Sequence, residues 1–148
     1  MHVHDGVVAM EFVKENVNPK GWKTGDCVVR AIAKASSRPW EEVYRELCEI
    51  GAKKCRMPND PKVYETYLEN HGWVKHKMPR RGDKTRYKVR DFLDELYSYS
   101  GAGWMIISVA NHLTCARALI EYDVKLYDTW DCSYKCVGNF WTRKRREV

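Results

Sequence analysis

Apolar positions along the chain fall into two regimes that meet at Gly101-Ala102-Gly103. Ahead of that point they recur with helical spacing. From Cys27 to Ala35 the only polar residues are Arg30 and Lys34, four apart, a pattern that leaves one thin wet stripe on an otherwise buried helix. Pro39 presets a second helix in which Trp40, Val43, Tyr44, Leu47 and Cys48 repeat at i, i+3, i+4, i+7 and i+8, ending near Gly51. A third helix is predicted over Pro61–Asn70, with Val63, Tyr64, Tyr67 and Leu68 on one side. A fourth runs over Val89–Tyr97, on Val89, Phe92, Leu93 and Leu96. A short apolar run, Val7–Val13, reads as a strand before all of these.

Beyond Gly103 the runs shorten to strand length: Trp104–Val109, Leu113–Ala118, Val124–Tyr127 and Val137–Trp141. Helices first and strands afterwards predict an α+β domain whose antiparallel sheet packs on the first helix. At 148 residues the chain reads as a single domain, 1–148. No apolar run approaches the ~20 residues of a membrane span, and the first residues lack a charged segment followed by an apolar core, so the expected location is the cytoplasm. With no export signal and ample apolar residues for a core, the six cysteines read as thiols.

The net charge of +6 is concentrated in two places. Lys75, Lys77, Arg80, Arg81, Lys84, Arg86, Lys88 and Arg90 lie in one stretch with Asp83 as its only acid, and residues 142–148 form a basic tail. Such runs are solvated first, and attract nucleic acid or an acidic protein only weakly and in a salt-sensitive way.

Candidate chemistry sits elsewhere. Thr24-Gly25-Asp26 leads into the apolar helix and places Cys27 at its N-terminus, where unpaired backbone N–H groups and the helix dipole favour the thiolate. His112 opens an apolar strand and Asp128 closes the next. A hairpin centred on Ile120 sets His112 opposite Asp128, Thr114 opposite Leu126 and Ala116 opposite Val124, while Asp131 has the wrong parity for that face unless a bulge intervenes. A nucleophile, a base and an orienting acid are the parts covalent acyl transfer requires. Cys132 and Cys136, with Asp131, Cys115, His2 and His4, lack the tight spacing of a structural zinc site, so neither metal nor cofactor is expected.

The order Cys, His, Asp, with Asp26-Cys27-Val28-Val29-Arg30-Ala31, His112-Leu113 and Asp128-Thr129-Trp130-Asp131, resembles the papain-like cysteine hydrolases, in particular the small papain-like proteins of bacteriophage and mobile-element genomes. The resemblance spans Asn18 to Trp141. It implies Cys27 as nucleophile, His112 as general base, Asp128 as the group orienting the histidine, a protein or peptide substrate, and a host cytoplasm for a phage-encoded chain. Papain carries a glutamine six residues before its cysteine; here that position is Gly21, and the Asn18 amide is the substitute oxyanion donor, ahead of Thr24 and Lys23. A papain-like fold used as a binding module, through the basic stretch, is the alternative. The sequence sets neither the substrate nor the oligomeric state.

Overall fold

The computed structural model describes residues 10–93, 102–120 and 123–143. In chain order the elements are β1 (Glu11–Lys14), α1 (Cys27–Ser36), α2 (Trp40–Lys54), α3 (Pro61–Asn70), β2 (Trp73–His76), α4 (Val89–Phe92), β3 (Gly103–Val109), β4 (His112–Ile120), β5 (Asp123–Asp128) and β6 (Phe140–Arg143). The strands form one sheet in the order β1-β5-β4-β3-β6-β2. Helices α1 to α3 cover one face, where Ile32, Leu47 and Leu68 share a core with Ile106, Leu113, Cys115 and Trp141. The other face carries Met105, Ile107, Ala116, Leu126 and Phe140, covered by Val89 and Phe92 of α4 and by Cys132 and Val137 of the loop before β6. Both faces being buried explains why the central strands read as continuous apolar runs.

The α+β composition agrees with the sequence reading, but the sheet is mixed, not antiparallel. β1 pairs in parallel with β5, from Glu11 opposite Lys125 to Lys14 opposite Asp128. At the far edge β2, which the sequence pattern hides inside the basic stretch, pairs antiparallel with β6. Both strands are four residues long and half-exposed, so periodicity is too brief to reveal them. Pairing with them covers backbone groups that β5 and β6 would otherwise leave open.

Helix α2 runs one turn past Gly51. A Cβ at Gly51 would lie 2.5 Å from the Arg56 carbonyl oxygen, so the glycine is where the returning chain crosses the helix, not where the helix stops. Cys55, with φ 57°, ends it in the left-handed conformation. Helix α3 keeps its expected bounds: the Asp60 carboxylate accepts from the Lys62 N–H at 2.8 Å, with Pro61 in the first turn. Strand β6 starts at Phe140, later than the apolar run at Val137, because the chain first docks on β3: Gly138 donates to Ser108 O at 2.6 Å.

The part of the fourth helix predicted over 94–97, the first three residues of the strand predicted over Val7–Val13, the histidines at 2 and 4, and the tail from 144 onward lie outside the described residues. Among the described residues, no helix is long and apolar enough to cross a membrane.

Candidate active site

The site forms where the start of α1 meets the tip of the β3–β4 hairpin. Gly25, with φ +66°, turns the chain into α1. Cys27 is the first helical residue, and the helical bond across the cap runs from Arg30 N to Asp26 O at 2.9 Å, so the Cys27 N–H has no helical acceptor. Helix α1 packs chiefly on β4. Val109 and His112 pair across a two-residue turn whose second member, Asn111, has φ 53°, and this tight turn delivers His112 beside the Cys27 sulfur.

Asp128 ends β5. The hairpin register differs from the expected one: Ala116 faces Leu126 and Ala118 faces Val124, two residues along, with an irregularity between Ala118 and Ile120. A slide of two preserves the face. His112 therefore reaches Asp128 diagonally and not from directly opposite, with Nε2 at 2.6 Å from Oδ2.

Every lone-pair direction of Asp128 is used. Oδ2 meets His112 Nε2 and accepts from the Cys132 thiol at 3.8 Å; Oδ1 accepts from the Thr129 N–H at 2.7 Å and from the Arg30 guanidinium at 3.2 Å. Arg30 is shared. Its Nε donates to Asp26 Oδ1 at 2.8 Å, and Asp26 Oδ2 accepts from Trp40 Nε1 at 2.9 Å and Asn18 Nδ2 at 3.0 Å. The result is a buried chain of partners, Asn18 to Asp26 to Arg30 to Asp128 to His112, that ties the loop before α1 to the last residue of β5. With His112 Nε2 engaged by Asp128, Nδ1 is the nitrogen left for Cys27.

These contacts set the charges. Burial opposes ionisation of Cys27, yet hydrogen bonds from His112 and the Leu113 backbone, with the positive charges of His112 and Arg30, hold the thiol below its ordinary value. Burial also works against the His112 cation, but Asp128, Cys132 and Cys27 outweigh it and push the imidazole up to about 11. Asp128 is held below the usual carboxylate range: its burial is more than offset by His112, Thr114 and the Thr129 N–H. The three groups thus favour a thiolate, an imidazolium and a carboxylate. Cys115, also apolar in setting but fully buried without a donor set of this kind, moves upward.

Cys27 and His112 open onto a cleft of about 400 Å³ walled by Asn59, Pro61, Tyr64, Ser108, Asn111 and Asn139. Tyr64 is fixed edge-on against Trp141, with centroids 5.8 Å apart. Trp130 packs at a tilt against the His112 ring, with centroids 4.9 Å apart.

Of the residues singled out from sequence, Cys27, His112 and Asp128 come together. Asn18 does not line the cleft; its Nδ2 donates to Asp26 and its Oδ1 accepts from the Lys20 N–H at 2.9 Å, so it braces the approach to α1. Asp131 is exposed beyond the end of β5 and accepts from the Ser133 N–H at 3.0 Å in a local turn. Sequence reasoning missed Asp26 and Arg30 as a unit, although their i, i+4 spacing was a readable signal. It also missed Cys132, whose nearness to His112 no spacing rule announces. Comparison with protein-family models, curated proteins and solved structures gave no match.

Proposed function

We propose that the protein is a cysteine hydrolase of peptidase or amidase type, working through Cys27, His112 and Asp128, with a papain-like arrangement of these groups. The observation that carries the reading is the continuous contact from Cys27 through His112 to Asp128 Oδ2 at 2.6 Å, opening on a cleft. In this mechanism the Cys27 thiolate attacks an amide or ester carbonyl. The carbonyl oxygen takes up negative charge beside the Cys27 N–H at the positive end of α1. The His112 imidazolium gives its Nδ1 proton to the leaving amine or alkoxide, which departs and leaves a thioester on Cys27. His112 then takes a proton from water, and the hydroxide so generated releases the acid and restores the thiolate. Asp128 keeps Nε2 occupied and the ring aligned throughout.

The cleft walls suit a polypeptide: Asn59, Asn111 and Asn139 offer neutral amides to an extended backbone, and Pro61, Tyr64 and Val109 supply apolar surface. Its action on a host or phage protein in the cytoplasm belongs to the same proposal. A cysteine-directed activity probe applied to the folded protein, with Cys27→Ala as control, tests it: selective labelling of Cys27 supports the mechanism, and preferential labelling of another thiol refutes it. Incubation with a cell lysate then identifies the substrate.

A further inference from the structure

The third group at the His112–Asp128 bond is a thiol that the hydrolytic mechanism does not use. Cys132 is fully buried, and its Sγ lies 3.8 Å from Asp128 Oδ2. One ring nitrogen of His112, one carboxylate oxygen of Asp128 and Cys132 Sγ all fall within 4.8 Å of one another, the one such cluster of metal-ligating types among the described residues. We infer that Cys132, His112 and Asp128 form a zinc site that shuts off the proposed hydrolase when occupied.

The donor set decides the metal. One imidazole nitrogen, one carboxylate oxygen and one thiolate suit Zn²⁺, which prefers N and S ligands, whereas Mg²⁺ and Ca²⁺ demand oxygens. Bonds of about 2.0–2.3 Å to a tetrahedral ion hold neighbouring donors roughly 3.3–3.7 Å apart, by the geometry those lengths impose. Of the two separations, 3.8 Å between Cys132 Sγ and Asp128 Oδ2 is already close, and 2.6 Å between His112 Nε2 and Oδ2 must widen by about an ångström. The orienting partners are in place. Asp128 Oδ1 is anchored by Thr129 N–H and Arg30, which fixes the carboxylate as outer ligands do in metal centres. The fourth position falls to water.

Binding releases two protons to solvent, one from His112 Nε2 and one from the Cys132 thiol, with no change of oxidation state. Holding Nε2 and Oδ2 about an ångström further apart than their 2.6 Å contact turns the His112 ring out of the alignment that presents Nδ1 to the Cys27 sulfur. Loading therefore slows the reaction at Cys27 without touching its sulfur.

The inhibitory part rests on the proposed hydrolase; the metal site itself does not. Cobalt(II) added to the intact protein reports a thiolate ligand by a near-ultraviolet charge-transfer band. The expected result is a band at one equivalent in the wild type and in Cys27→Ala, absent in Cys132→Ser, with zinc displacing it. Zinc is also expected to slow probe labelling of wild-type Cys27 at least tenfold, reversed by a chelator. A band lost in Cys27→Ala, or kept in Cys132→Ser, assigns the metal to the wrong sulfur and overturns the inference, as does no band in the wild type. Where Cys132→Ser fails to fold, Cys132→Ala takes its place, and a band kept there overturns the inference. A missing band with normal probe labelling sinks the zinc site alone; a band without labelling at Cys27 sinks the hydrolase alone.

Discussion

Arg30 and Arg81 each donate to a carboxylate at almost the same distance, 3.2 Å to Asp128 and 3.1 Å to Asp91. Their surroundings differ. The Arg30 and Asp128 side chains are 14% and 3% exposed, those of Arg81 and Asp91 42% and 45%. In water the second pair contributes little, since screening and side-chain entropy absorb the Coulomb gain. At the base of the site the same contact joins two carboxylates, an imidazole and a helix start, and removing one partner strands the others in a medium that cannot solvate them. The basic stretch from Lys75 to Arg90 holds more charge than the site. Its charged side chains are all exposed, with Lys75 on Glu65 and the Arg86 guanidinium donating to the Val137 carbonyl. Partner count and burial, not charge density, separate the two regions.

The strongest attack on this contrast is at the base. His112→Ala is expected to cut probe labelling of Cys27 at pH 7 by about 10²–10⁴, the range of general acid–base contributions, and to abolish turnover. Asp128→Ala is expected to leave reduced but measurable labelling and a cooperative melt, because the imidazole remains while its orientation loosens. Equal labelling rates in all three proteins would remove the catalytic reading.

Next comes the ion pair itself. Arg30→Met leaves Asp26 and Asp128 without their shared cation and is expected to cost about 3–5 kcal/mol in urea unfolding. The matching change in the exposed region, Arg81→Ala, is expected to cost under about 1 kcal/mol. Costs of similar size would show that burial does not set the value of these pairs.

Titration sharpens the comparison further. In the folded protein His112 holds its proton up to about 11, so the stability it contributes is complete below an unfolded-state value of about 6.5 and is lost as pH rises toward 11. Asp128 and Asp26, both held low, contribute fully above about pH 4 and lose their contribution as pH falls through their folded values. Thermal unfolding midpoints are therefore expected to be highest between about pH 4 and 6.5, declining on both sides. Labelling of Cys27 is expected to persist at acidic pH where a free thiol such as glutathione has stopped reacting; parallel pH profiles for the two thiols would contradict the lowered Cys27 value. The smallest effect is expected at Asp131→Ala. Its carboxylate serves only a local turn, and the labelling rate should stay within about twofold of wild type, in line with surface changes near 0.5 kcal/mol.

The sequence by itself determined the elements with strong periodicity: α1 and α3, and the apolar runs of β3, β4 and β5, because buried faces leave a regular trace in residue order. It also placed Cys27 at a helix start, since Gly25-Asp26 before an apolar helix is local information. The shared face of His112 and Asp128 was legible too, because strand parity survives a slide of two residues. Only the tertiary structure decided the rest. The parallel pairing of β1 with β5, the passage of α2 beyond Gly51, the diagonal reach of His112, the bracing role of Asn18 and the meeting of Cys132 with the His112–Asp128 bond all depend on segments far apart in the chain. Local propensity is computed over neighbours, whereas a hydrogen bond at 2.6 Å between residues 16 apart is set by register, and register follows from how the whole sheet closes.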